Sequence, residues 1–166
     1  AQPKVGKSWL ALDLGLSVAT GRPWFNFQTT AGDVLILDNE LHAETIAMRV
    51  PQVAEARGLP LNEYGDRIFI KSLRGQLKDL LGMGEWLRKQ RAGRFALIIL
   101  DAFYRFLPMR MDENDNGTMA QLYNSLDAYA AALGTSFVLI HHASKGSQSE
   151  KTITDVGAGA GAQSRA

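Results

Sequence analysis

Ala1-Gln2-Pro3-Lys4-Val5-Gly6-Lys7-Ser8 decides how the rest of the chain is read. It follows the phosphate-loop pattern G-x-x-x-x-G-K-[ST], with alanine in the place of the first glycine. The spacing has a mechanism. A tight loop turns its backbone N–H groups around a phosphate, the lysine reaches the terminal phosphates, and the hydroxyl reaches Mg²⁺. Residues Ala1, Gln2, Pro3, Lys4, Val5, Gly6, Lys7, Ser8 and Trp9 are therefore the candidate nucleotide-binding set. A helix should follow at once, because its positive N-terminal end favours the same anion. The apolar strand that feeds such a loop is expected before Ala1, so the chain reads as a piece cut at both ends.

The downstream pattern agrees with that reading. A helix is expected from about Lys7 to Thr20, with Leu10, Leu14 and Ser17 on one face, and Gly21-Arg22-Pro23 ending it. Val34-Leu35-Ile36-Leu37 is an unbroken apolar run, as in a parallel strand buried on both faces. A second helix spans His42 to Arg57, where Pro51 marks a kink or split. Ile68-Phe69-Ile70 reads as a short strand, Gly75 to Gln90 as a helix, and Phe95 to Leu100 as the strongest strand. Thr118 to Leu133 carries Leu122, Leu126, Tyr129 and Leu133 at helical spacing, with Thr118 as its N-cap. Phe137 to Ile140 is the last strand. Strands alternating with helices give an α/β fold of three layers, a mainly parallel sheet with helices on both faces.

Length and composition bound the rest. At 166 residues the chain is one domain, and a 46% hydrophobic content suits a packed core. Eighteen basic and 17 acidic residues leave a net charge of +1, which neither favours nor opposes a nucleic-acid partner. The chain has no cysteine, which excludes disulfides and thiolate metal sites. No apolar run approaches the ~20 residues of a membrane span, and a cytoplasmic protein is the simplest expectation.

Four further positions carry chemistry. Asp101 ends the apolar run Phe95 to Leu100, where a phosphate-loop protein holds Mg²⁺ from the side opposite Ser8. Mg²⁺ keeps several waters, so one carboxylate and one hydroxyl suffice. Glu40 lies just beyond the strand Val34 to Leu37, at the crevice where ligands bind in parallel sheets, and is favoured over its neighbour Asp38 as the group that orients attacking water. His141 or His142, after the last strand, stands where a polar side chain can sense the terminal phosphate. The segment 143–166 is glycine-rich and carries Lys145, Lys151 and Arg165, as expected of a flexible loop that contacts phosphate backbones. Arg165 equally fits an arginine finger on a neighbouring subunit's nucleotide. Asp112 to Gly117 imitates the start of a calcium loop, but its twelfth position is Tyr123 where a bidentate glutamate is required, so calcium is set aside.

The ordered motifs resemble the RecA-type ATPase core within the AAA family, and more narrowly the RepA-like group related to hexameric replicative helicases. The carrying segments are Pro3 to Ala11, Val34 to Glu40, Leu97 to Asp101 and Val138 to Lys145. The resemblance implies ATP hydrolysis with Mg²⁺. Lys7 would hold terminal phosphates, Ser8 and Asp101 the metal, Glu40 the water, and His141 or His142 would report phosphate state. It also implies a homo-oligomeric ring or filament with single-stranded DNA against residues 143–165. A RecA-like regulatory or scaffolding ATPase that does not travel along DNA is the alternative. Ala1 departs from the glycine of the pattern.

Overall fold

The computed structural model describes residues 6–76, 79–108 and 116–141. Helix α1 spans Lys7–Thr20, strand β1 Val34–Asp38, α2 Ala43–Ala56, the short α3 Leu61–Tyr64, β2 Ile68–Ser72, α4 Leu80–Arg88, β3 Leu97–Asp101, and α5 Asn116–Leu133 before strand β4 at Ser136–Ile140. A 3-10 turn, Phe103–Phe106, follows β3. The four strands form one sheet in the order β2-β1-β3-β4. All three pairings are parallel, and Val34 lies level with both Ile68 and Leu97.

Side-chain alternation along the strands sorts the core onto two faces. Val34 and Ile36 of β1, with Leu97 and Ile99 of β3, pack against Leu12 and Leu16 of α1 and Val50 and Ala54 of α2. Leu35 and Leu37, with Ile98 and Leu100, face Leu80, Met83 and Leu87 of α4 and Leu122 and Leu126 of α5. Both β1 and β3 are buried along their whole length. That is why each reads as a continuous apolar run. The expected three-layer α/β architecture is the observed one.

Several local expectations need correction. Helix α1 has the anticipated bounds, but its sheet-facing stripe is Leu12, Leu16 and Ala19 with Ala11 and Gly15; Leu10 is 47% exposed. The small residues let α1 lie close to the sheet, since a Cβ on Gly15 would sit 3.5 Å from both Ile99 Cδ1 and Val34 Cγ1. Helix α2 runs through Pro51 without splitting. Pro51 is exposed while Val50 and Ala54 are buried, so packing on the inner face offsets the missing backbone donor. Helix α4 begins at Leu80, because Gly75 adopts a left-handed turn (φ 78°) and the Asp79 carboxylate caps the helix by accepting from Gly82 N at 2.6 Å. It ends at Arg88, short of Gln90. Thr118 is not a cap, since α5 already includes Asn116. Strand β3 starts at Leu97, two residues after Phe95.

Helix α1 also anchors its surroundings through Asp13. Its carboxylate accepts from Trp24 Nε1 at 3.0 Å and pairs with Arg57 at 2.8 Å. Arg57 further donates to Ser17 Oγ and to the carbonyl of Pro23. These contacts fasten α2 and the aromatic loop after α1 to the helix that carries the lysine–serine pair.

Candidate functional site

Gly6 forms the entry to α1 in a left-handed conformation, φ 90° and ψ 12°. Nothing lies within 4 Å of where its Cβ would be, so glycine is needed there for backbone conformation rather than for space. Among the described residues no side chain caps this helix. The first-turn N–H groups are thus available to a ligand in the manner of anion-binding helix ends. Lys7 and Ser8 are half-buried. Trp9 is 39% exposed, and the Arg49 guanidinium of α2 lies 4.9 Å from its ring centroid. Ala1 to Val5, the rest of the expected loop, fall outside the described residues.

The two acidic strand ends lie side by side. Asp38 of β1 is in register with Asp101 of β3, and both are buried. With Ser8 they line one cleft, together with Ile36, Ile99, Leu41 and Arg49. The Asp38 side chain turns the chain after β1: its Oδ1 accepts from Glu40 N at 2.8 Å and Leu41 N at 2.7 Å. Burial pushes its pKa from 3.8 up to about 6, and the neighbouring charges of Asp101 and Glu40 add to the rise, while the two backbone donors oppose it. Asn39 ties the two strand ends together. Its N–H donates to Asp101 O at 2.9 Å, and its Oδ1 accepts from Ala102 N at 3.1 Å.

Glu40 stands at the rim, with its side chain 29% exposed. Oε1 accepts from the Tyr104 hydroxyl at 2.8 Å, and Arg105 Nε donates to that same hydroxyl at 2.9 Å. Arg105 also donates to Asn39 O at 3.1 Å, and Arg74 to Glu40 O at 2.5 Å. The Arg105 pKa is raised, first by its bond to Tyr104.

His141 follows β4, half-buried, its ring centroid 4.7 Å from that of Phe103 in the turn after Asp101. It lines a groove with Lys7, Trp24 and Val138. A wider groove of about 580 Å³ is lined by Gly6, Lys7, Trp9, Asp13 and Arg57. His142 and the segment 143–166, with Lys145, Lys151 and Arg165, lie outside the described residues. So do Asp112 to Asp115 of the calcium look-alike.

The geometry therefore brings Ser8 and Asp101 to one cleft, sets Glu40 two residues past the end of the adjoining strand, and puts Lys7 and His141 on a common groove. Asn39, Arg74, Tyr104 and Arg105 were not singled out in the sequence. For Tyr104 and Arg105 the only signal is a tyrosine–arginine pair three and four residues after Asp101, one 3-10 turn along. No cluster of three or more His, Asp or Glu side chains suited to a metal ion occurs among the described residues. An all-protein cage is thus absent there. The hard oxygens of Ser8 and Asp101 fit Mg²⁺, which takes few protein ligands and completes its shell with water and phosphate. No helix among the described residues is long and apolar enough to cross a membrane.

The parallel sheet, the glycine-lysine-serine helix entry and the acidic strand ends together give an α/β core with a phosphate-loop type of helix entry. Residues 1–148 match the AAA domain family, and the chain belongs to that family. Among solved structures it is similar to the crystal structure of the RadB recombinase, with a TM-score of 0.54 and 24% identity over 89% of this chain. The match covers 61% of the RadB chain, so this chain spans about three-fifths of that protein's length.

Proposed function

We propose that the chain binds ATP with Mg²⁺ and hydrolyses it, as part of a helicase-like motor acting on DNA in a cytoplasmic setting. The observation that carries this is the convergence of Ser8 and Asp101 on one cleft, with Glu40 two residues past the end of the neighbouring strand. Bound Mg²⁺ would supply neutralisation of charge developing on the transferring phosphoryl oxygens. Ser8 Oγ and the Asp101 carboxylate would hold the metal. Lys7 and the N–H groups from Gly6 onward would hold phosphate. Glu40 would orient water for in-line attack, and its partial exposure keeps it within reach of solvent. His141 or His142 would report the state of the terminal phosphate. The RadB protein is named a recombinase, which supports a DNA partner for this fold; the segment 143–165 is the proposed contact, and a homo-oligomer the proposed assembly.

The test is Glu40→Gln in the full chain. ATP turnover should fall by about 10² or more, as for loss of a general base, while ATP affinity is retained. Unchanged turnover would remove Glu40 from its role. Single-stranded DNA should raise turnover of the unaltered protein. ATP hydrolysis indifferent to DNA would replace the motor by a regulatory ATPase.

A further inference from the structure

Three side chains outside the expected motifs converge on Glu40. Two of them come from the turn directly after Asp101. From this arrangement we infer that Tyr104 and Arg105 are positioning residues that fix the Glu40 carboxylate for its task. The inference rests on Glu40 being the water-orienting group.

The direction of each hydrogen bond matters. Arg105 has only donors, so its Nε–H must donate to the Tyr104 oxygen, here at 2.9 Å. With that lone pair engaged, the tyrosine's own proton is donated to Glu40 Oε1, at 2.8 Å. A chain of fixed polarity thus runs from guanidinium to phenol to carboxylate. Arg105 is itself held by Asn39 O at 3.1 Å, and Asn39 is bonded to Asp101 and Ala102 on the next strand. Arg74 pins the Glu40 carbonyl from the loop after β2. Glu40 lies past the end of β1, where no sheet ladder holds its backbone. The relay supplies that order and ties Glu40 to the strand end bearing Asp101, so the two groups keep a fixed relation. A free glutamate side chain would lose several rotamers' worth of entropy on each productive alignment.

The experiment is a double-mutant cycle in the full chain. Tyr104→Phe removes only the hydroxyl and should lower kcat about tenfold or more, with KM for ATP and nucleotide affinity changed by less than about twofold. In a Glu40→Gln background the same substitution should have no further effect. Arg105→Gln, at a half-exposed site, should give a smaller fall in kcat of the same kind, which Arg105→Lys does not fully restore because a lysine lacks the planar fork. A readout independent of turnover is the ¹³C relaxation order parameter of the Glu40 side chain, which should drop in both single variants. Unchanged kcat and unchanged Glu40 order would overturn the inference. So would an equal loss of rate in the Glu40→Gln background. Glu40→Gln with full turnover refutes the base assignment instead, and the order parameter then still reports whether the relay holds the side chain.

Discussion

Replacing Asp38 by asparagine should stabilise the protein at neutral pH and not in acid. Asp38 is 3% exposed, sits level with Asp101, and has its pKa raised from 3.8 to about 6. The folded state thus holds this proton more tightly than the unfolded chain does. Its favourable contribution is complete below about pH 3.8 and is lost as pH rises through about 6, so ionised Asp38 costs the fold about 3 kcal/mol well above that pH. Asparagine keeps Oδ1 for the N–H groups of Glu40 and Leu41 while adding no charge beside Asp101. Urea unfolding followed by far-UV circular dichroism, in EDTA and without nucleotide, measures the difference at pH 5, 6, 7 and 8 by linear extrapolation. The stability of Asp38→Asn relative to the unaltered protein should grow by about 1.4 kcal/mol between pH 5 and pH 8, with most of the change below pH 7. A difference that stays flat across this range, or an asparagine variant less stable at pH 8, would refute the claim that burial of the carboxylate opposes its ionisation.

Two stability predictions follow from the packing. Ile98 is fully buried between β3 and the layer of α4 and α5, so Ile98→Ala should cost about 2–5 kcal/mol in urea unfolding, and a loss under about 1 kcal/mol would contradict the described core. Asp79 caps α4, so Asp79→Ala should lower stability by about 1 kcal/mol and Asp79→Asn by much less, read as shifts in thermal midpoint; equal shifts would show that the cap bond to Gly82 N is not the source.

Much of the fold was legible because its signals are local and repeated. The apolar runs ending at Leu37 and Leu100 are buried on both faces, so they show no alternation to misread. Helix α1 has a glycine at each end in left-handed conformation, which is why its bounds were plain. Its inward face was not, since Leu10 and Leu14 compete in sequence with Leu12 and Leu16. Only the close approach permitted by Ala11 and Gly15 decides between them. The start of α4 is not legible in the sequence because Leu77 extends the leucine pattern upstream of the Asp79 cap. The relay on Glu40 was invisible for a different reason. Tyr104 and Arg105 are 64 and 65 positions from Glu40 in sequence, and only the pairing of β1 with β3 makes them neighbours.

Register also explains why the carboxylates of Asp38, at the end of β1, and Glu40, two residues past it, come to differ. Residues 34, 36 and 38 share one face of β1, and residues 97, 99 and 101 the same face of β3. That face looks onto α1, so Asp38 and Asp101 are carried beneath Ser8 together with Ile36 and Ile99. Asp38 is thereby committed: buried, beside a second acid, and with Oδ1 engaged by two backbone donors. A group that must stay ionised and meet solvent water is poorly served by that position. The turn Asp38 makes delivers Glu40 past the strand end to the rim, where it is 29% exposed and faces the donors of Tyr104 and Arg105. Asp38 shapes the loop, and this is the physical ground for favouring Glu40 over it. Proximity to Asp101 alone would instead favour Asp38, the carboxylate whose ionisation burial opposes.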